Sequence, residues 1–168
     1  MTTPRPGDFG LVAINGAAGR LIRIGQWLNG DGFRDYQHAV LVLSNGELIE
    51  AEPGGARIRP VSEYDGTNVI WSDWPLTDQQ RADADREGRA LEGTPYSALD
   101  YFAIAAKRLH VPVPGLRRYI MSTKHEMCSA LADLILKRAK IQVFLDDRWE
   151  GDVTPLSLLR ALHGPVTS

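Results

Sequence analysis

Cys128 is the residue best suited to nucleophilic chemistry, and it is the one cysteine among 168 residues. A lone thiol forms neither an internal disulfide nor a cysteine-rich zinc site, so it serves packing or chemistry. A helix start would favour the reactive thiolate, because unpaired N–H groups and the helix dipole stabilise negative charge. The pattern predicts a helix over 122–140, but a capping box formed by Thr123 and Glu126 would place Cys128 more than one turn inside it. A reactive thiol and a buried packing residue therefore both stay open.

His38 is the second residue whose type suits this chemistry. It lies near the start of an otherwise apolar predicted strand, Gln37 to Leu43, where a titratable ring is unexpected. A neutral imidazole can accept the proton of a neighbouring thiol and so activate it as a nucleophile. A core histidine on its own is usually structural, so the neighbours of His38 have to decide between the two interpretations.

The turn that follows decides which carboxylate lies beside His38. A two-residue Asn45-Gly46 turn pairs Leu43 with Leu48 and leaves Glu50 on the face away from the histidine. A three-residue loop, with Gly46 in the left-handed conformation, pairs Leu43 with Glu47 instead.

In the register of the three-residue loop His38 faces Glu52 and lies diagonal to Glu50. Either carboxylate could then hold the tautomer of the ring and stabilise its charged form. From the residues alone, both carboxylates remain candidates, and a solvated pair on an edge strand is an equally fair interpretation.

The other histidines suggest lesser roles. His125 precedes Cys128 by three residues and could tune the thiol from the same helical face, whereas His110 and His163 sit where helix ends are predicted. The histidines and the acidic residues show no spacing typical of a metal site, so we expect no metal and no cofactor.

The elements that must position these residues fall into two halves. Strands are predicted in the first half and helices in the second, without regular alternation, which is typical of the α+β class. The predicted strands are Asp8 to Ile14, Gln37 to Leu43, Leu48 to Glu52, Arg57 to Val61 and Asn68 to Ser72. The predicted helices are 17–28, 77–91, 97–109, 122–140 and 155–162.

Composition narrows the classes of protein that the chain can represent. Nineteen basic and 21 acidic residues give a net charge of −2, and the arginines are scattered, so we expect no nucleic-acid partner. No apolar run resembles a signal peptide or a membrane span. We expect one domain over 1–168, either cytoplasmic or delivered by a phage.

Four short sequence motifs, by their residues and by their order along the chain, resemble the circularly permuted branch of the NlpC papain-like superfamily. This branch includes YiiX-like proteins and relatives of lecithin retinol acyltransferase. The motifs are Pro6-Gly7-Asp8, His38 to Ala51, Gly93 to Tyr96, and Cys128 to Leu131. The resemblance implies a papain-like antiparallel sheet packed against helices. It also implies Cys128 as nucleophile, His38 as general base, Glu50 as the third polar residue and Tyr96 as an aromatic residue that supports the site.

The resemblance further implies a cysteine hydrolase or amidase that acts through an acyl-enzyme, with the Cys128 backbone N–H as one oxyanion donor. Amide bonds of peptidoglycan stem peptides are the leading substrate. The alternatives are an acyltransferase or thioesterase on lipid or protein conjugates, and a binding or structural module with an inert thiol. In the last case Trp71, Trp74 and Trp149 could form an exposed apolar patch.

Overall fold

The computed structural model describes residues 3–13, 36, 38–52, 54–95, 128–145 and 153–165. The helices predicted at 17–28 and 97–109 lie outside these ranges. The described part is an α+β arrangement with a five-stranded antiparallel sheet, and this much of the predicted fold class is confirmed. Within it, no helix is both long enough and apolar enough to cross a membrane.

The sheet has the strand order β4-β3-β2-β1-β5, so the two earliest strands lie in its centre. Each predicted strand is present with slightly different bounds. The strands are β1 (Phe9–Val12), β2 (His38–Val42), β3 (Glu47–Glu52), β4 (Gly55–Pro60) and β5 (Val69–Trp71).

The loop between β2 and β3 has the three-residue form, and the two-residue alternative is wrong. The Leu43 N–H donates to the Glu47 carbonyl at 2.8 Å, and Leu41 pairs with Ile49. Gly46 has a φ of 72°, as the bulged loop requires. Asn45 also has a positive φ, 61°, a conformation that asparagine tolerates better than most residues.

Three described helical segments accompany the sheet: α1 (Asp78–Ala90), α2 (residues 128–138) and α3 (Pro155–Arg160). Thr77 caps α1 and Thr154 caps α3, each through a capping box. Residues 96–127 are outside the described ranges, so the start of α2 stays a prediction.

The larger core lies between the sheet and α2. Apolar side chains of β1, β2 and β3 pack there against Leu131 and Ile135 of α2 and against Ala139, which directly follows α2. These three residues are buried, while Leu134 is only half-buried. This packing fixes α2 against the strands that carry His38 and Glu50.

The opposite face of the sheet carries a smaller cluster built on Val12, Val40 and Leu48. Trp71 covers this face at Gly10, where an added Cβ would come within 2.5 Å of the indole ring. A short 3-10 segment, Val61–Tyr64, crosses the same face and brings Tyr64 to the cluster. The face of Val40 and Leu48 is therefore lined by aromatic side chains from β5 and from this segment.

Candidate functional site

His38 and Glu50 form a buried pair on the face of the smaller cluster. His38 is 8% exposed and Glu50 is 6% exposed. Because alternate residues of a strand share a face, His38 and Glu50 lie on the face of Val40 and Leu48. Continuing the β2–β3 register places Glu50 diagonal to the histidine. The His38 Nε2 atom lies 2.5 Å from Glu50 Oε2. The sheet register thus supplies the histidine with a carboxylate partner.

Cys128 approaches this pair from the larger core. It is a helical residue of α2 and is 1% exposed. Its thiol donates to the carbonyl oxygen of Ala51 at 3.2 Å, near the point where β3 ends and β2 begins. Cys128 also influences the pKa of His38, which makes the two side chains neighbours.

The electrostatic surroundings keep His38 in its charged form. Burial by itself would lower the pKa of the imidazole, but the electrostatic and hydrogen-bonding influence of Cys128, together with that of Glu50, raises this pKa from 6.5 to about 10. Burial likewise favours a neutral Glu50, yet the hydrogen bond and charge of His38 lower the net pKa of that carboxyl. The three groups therefore favour an imidazolium held by a carboxylate and beside a sulfur atom.

Tyr64 is a neighbour of the site that the sequence analysis missed. Its hydroxyl donates to Glu50 Oε2 at 2.6 Å. Its ring is stacked near that of His38, with ring centroids 6.4 Å apart and an interplanar angle of 23°. The short segment between β4 and β5 has no periodicity that marks this tyrosine. The one local signal is its spacing of three residues from Val61, which fits one face of a 3-10 turn.

Glu52 has different partners from Glu50. Continuing the register places it opposite His38, but its carboxylate lies 3.3 Å from Arg59 Nη2 and 3.5 Å from Arg57 Nη1. Both arginines belong to β4, where Arg57 is directly opposite Glu50. These guanidinium groups form ion pairs with the Glu52 carboxylate, and Glu50 is the carboxylate that contacts the imidazole ring.

The other candidate residues either lie outside the described ranges or have partners elsewhere in the fold. Tyr96 and His125 lie outside the described residues, as does Trp149. Trp74 is buried and its indole N–H donates to the Ala161 carbonyl at 2.6 Å, so it does not join an exposed patch. His163 pairs at the surface with Asp73. In the ranges that the structure describes, no cluster of three or more His, Cys, Asp or Glu side chains could hold a metal ion.

A scan of the sequence against protein-family models found no matching model, and a search of curated proteins found no significant match. Membership of the NlpC superfamily therefore stays a resemblance, and the candidate site stands on its own geometry.

Proposed function

We propose that this chain is a papain-like cysteine hydrolase that cleaves an amide bond through an acyl-enzyme. The observation that carries the proposal is that the buried His38 lies against the carboxylate of Glu50 and has Cys128 as a neighbour that influences its pKa. A cysteine, a histidine and an acid in this order form the arrangement of an activated nucleophile, its base and the group that orients the base. The permuted order of the residues, with the histidine before the cysteine, is part of the same proposal.

In the proposed reaction, the His38 imidazolium already holds the proton of Cys128, and the thiolate forms a bond to the carbonyl carbon of the substrate. The imidazolium then gives its proton to the departing amine as the C–N bond breaks, which leaves a thioester on Cys128. Water attacks this thioester while His38 accepts a proton, and the acid product leaves as the thiol is restored. Throughout, Glu50 holds the orientation of the ring and stabilises its charge.

Peptidoglycan stem peptides are the substrate class that we propose first, because they suit the resemblance on which the reaction class rests. A direct test incubates the protein with purified stem peptides and counts new amine and carboxyl ends by mass spectrometry. Cleavage that is lost in Cys128→Ala supports the proposal. Cleavage of acyl esters or thioesters alone would move the function to the acyltransferase and thioesterase alternative.

One observation favours a second candidate, a binding module in which the thiol is inert. Cys128 is 1% exposed, and its thiol is engaged by the Ala51 carbonyl. A nucleophile has to reach its substrate, so turnover requires this thiol to become accessible. The buried Trp74 argues against the tryptophan patch first considered for such a module.

The two candidates differ in the reactivity of Cys128. We expect the rate of alkylation by iodoacetamide to stay high well below pH 8.5 in the intact protein and to be lost in His38→Ala. A rate that follows ordinary thiol behaviour, or that is unchanged in His38→Ala, would refute the catalytic pair and leave the binding module. Because the chain has one cysteine, the labelled site needs no further assignment.

A further inference from the structure

Tyr64 contacts both the base and the acid of the proposed reaction. Its hydroxyl donates to Oε2 of Glu50, which is the same oxygen atom that lies against Nε2 of His38. Its ring stands beside the imidazole on the face of the smaller cluster. This double contact is more than packing requires.

We propose that Tyr64 is a positioning residue that holds the Glu50 carboxylate against His38 and so keeps the base aligned with Cys128. The proposal rests on the proposed function, because it assigns Tyr64 a part in that same site. Tyr64 acts through Glu50 and takes no part in bond making or breaking.

A competing partner for Glu50 explains why such a residue is needed. Arg57 lies directly opposite Glu50 in the β3–β4 ladder, and Arg59 already contributes to its electrostatic surroundings. A carboxylate free to rotate would be drawn to these guanidinium groups and away from the ring. The hydroxyl of Tyr64 supplies a directed hydrogen bond that favours the rotamer facing His38.

Tyr64 is suited to this role because it stays a donor. Burial, and then its hydrogen bond to Glu50, raise the pKa of the phenol, so the hydroxyl keeps its proton. Its hydrogen bond also contributes to the lowered pKa of Glu50. Among the described residues, the titratable and charged groups that face Glu50 are His38 from β2, Arg57 and Arg59 from β4, and Tyr64; Cys128 from α2 and Glu52 on β3 itself act on Tyr64.

The test compares Tyr64→Phe with the intact protein by the pH dependence of Cys128 alkylation. We expect about a tenfold lower rate at neutral pH, because one hydrogen bond to a charged group is lost while the stacked ring is kept. The acid limb of the pH profile should move to higher pH as Glu50 titrates more easily. Ser62→Ala is the matched control, since it removes an exposed hydroxyl from the same 3-10 segment. It should leave rate and profile unchanged.

A double-mutant cycle separates positioning from a general structural effect. Tyr64→Phe should have little further effect on alkylation in the Glu50→Gln background, because its route to His38 is already broken. An equal loss in both backgrounds, or a Tyr64→Phe profile that matches the intact protein, would overturn the proposal. If Tyr64→Phe does not fold, the proposal also fails, since a role confined to one hydroxyl predicts a folded variant. A thiol in the intact protein that ignores His38 would instead refute the proposed function.

Discussion

At the scale of residues, the site depends on which of two neighbouring carboxylates reaches His38. Glu50 lies against the ring, while Glu52, two residues later on the same face, is held by arginines of β4. A buried carboxylate stabilises an imidazolium more than an exposed one does, because less water screens the charges. This contrast makes Glu50 the residue on which the charged form of His38 depends.

Replacing each of these carboxylates by its amide compares two nearly identical changes. We expect Glu50→Gln to lower the alkylation rate of Cys128 at pH 7 by about tenfold or more, because a buried charge-assisted hydrogen bond is lost. Glu52→Gln should change this rate by less than about threefold, because its partially exposed ion pairs are weak and screened. Rates measured with iodoacetamide decide the matter, and equal losses in the two variants would contradict the assignment of Glu50.

The raised pKa of His38 has a consequence for stability that can be given a sign. A charged ring that is stabilised in the folded protein contributes fully below its ordinary pKa of 6.5, and this contribution is lost as the pH rises through about 10. The difference in free energy of unfolding between the intact protein and His38→Gln should therefore be smaller at pH 10.5 than at pH 6.5, by about 1 kcal/mol or more.

Urea denaturation of both proteins at the two pH values measures this difference. A direct control follows the His38 ring by NMR and should find its titration near pH 10. The charged form of His38 is ruled out if the ring titrates near pH 6.5. It is also ruled out if the difference in free energy of unfolding between the intact protein and His38→Gln grows with pH.

At the scale of elements, the loop between β2 and β3 sets the register that brings Glu50 to His38. Helix α1 holds this loop from outside: Asp85 accepts a hydrogen bond from the Ser44 N–H at 2.7 Å, and Arg89 donates to the Ser44 hydroxyl at 2.9 Å. Arg89 also pairs with Glu47 at the start of β3. The three-residue loop is thus stabilised by its own backbone and by a helix more than 30 residues later.

Gly46 allows a direct test of the loop's conformation. An added Cβ would meet no atom within 4 Å, so the cost of Gly46→Ala arises from its φ of 72° alone. We expect a loss of about 1 kcal/mol in the free energy of unfolding, measured by urea denaturation. Gly46→Asn is the matched control and should cost less, because asparagine adopts the left-handed region more readily. Equal costs for the two variants would argue against this backbone conformation.

At the scale of the whole molecule, a buried ion pair fastens the N-terminal segment to α1. Asp8 accepts from Arg81 at 3.0 Å and from the Arg5 N–H at 2.8 Å. The guanidinium group of Arg81 also donates to the carbonyl oxygens of Pro6 and Trp74. Asp8, the first residue of the predicted first strand, therefore has a structural role, because its ion pair joins the sheet to α1.

Breaking this pair from one side should be costly. We expect Asp8→Ala to lower the free energy of unfolding by about 3 kcal/mol, because Arg81 would keep a buried charge without its carboxylate. Asp83→Ala is the matched control, since it breaks an exposed pair with Arg86 on the same helix, and it should have little effect. Thermal and urea denaturation compare the variants, and similar losses for both would show that burial does not decide the cost.

Most of the local structure in the described residues could be predicted from the sequence. Strands such as β2 follow from runs of β-branched and apolar residues, and Thr77 and Thr154 cap their helices through contacts with residues three positions later. The alternation of side chains along the two strands also limited the loop to two registers, and it identified Glu50 and Glu52 as the candidate partners of His38. These features depend on interactions within a few residues, which a sequence displays directly.

The tertiary structure decided the rest, because it depends on segments that are distant along the chain. Asp85 and Arg89 of α1 support one of the two loops, and arginines of β4 withdraw Glu52 from the ring. Tyr64 reaches Glu50 only because the segment after β4 crosses back over the sheet, a path that no local pattern encodes. Cys128 meets a histidine 90 residues earlier for the same reason: packing of α2 on the sheet, rather than spacing in the sequence, brings the two side chains together.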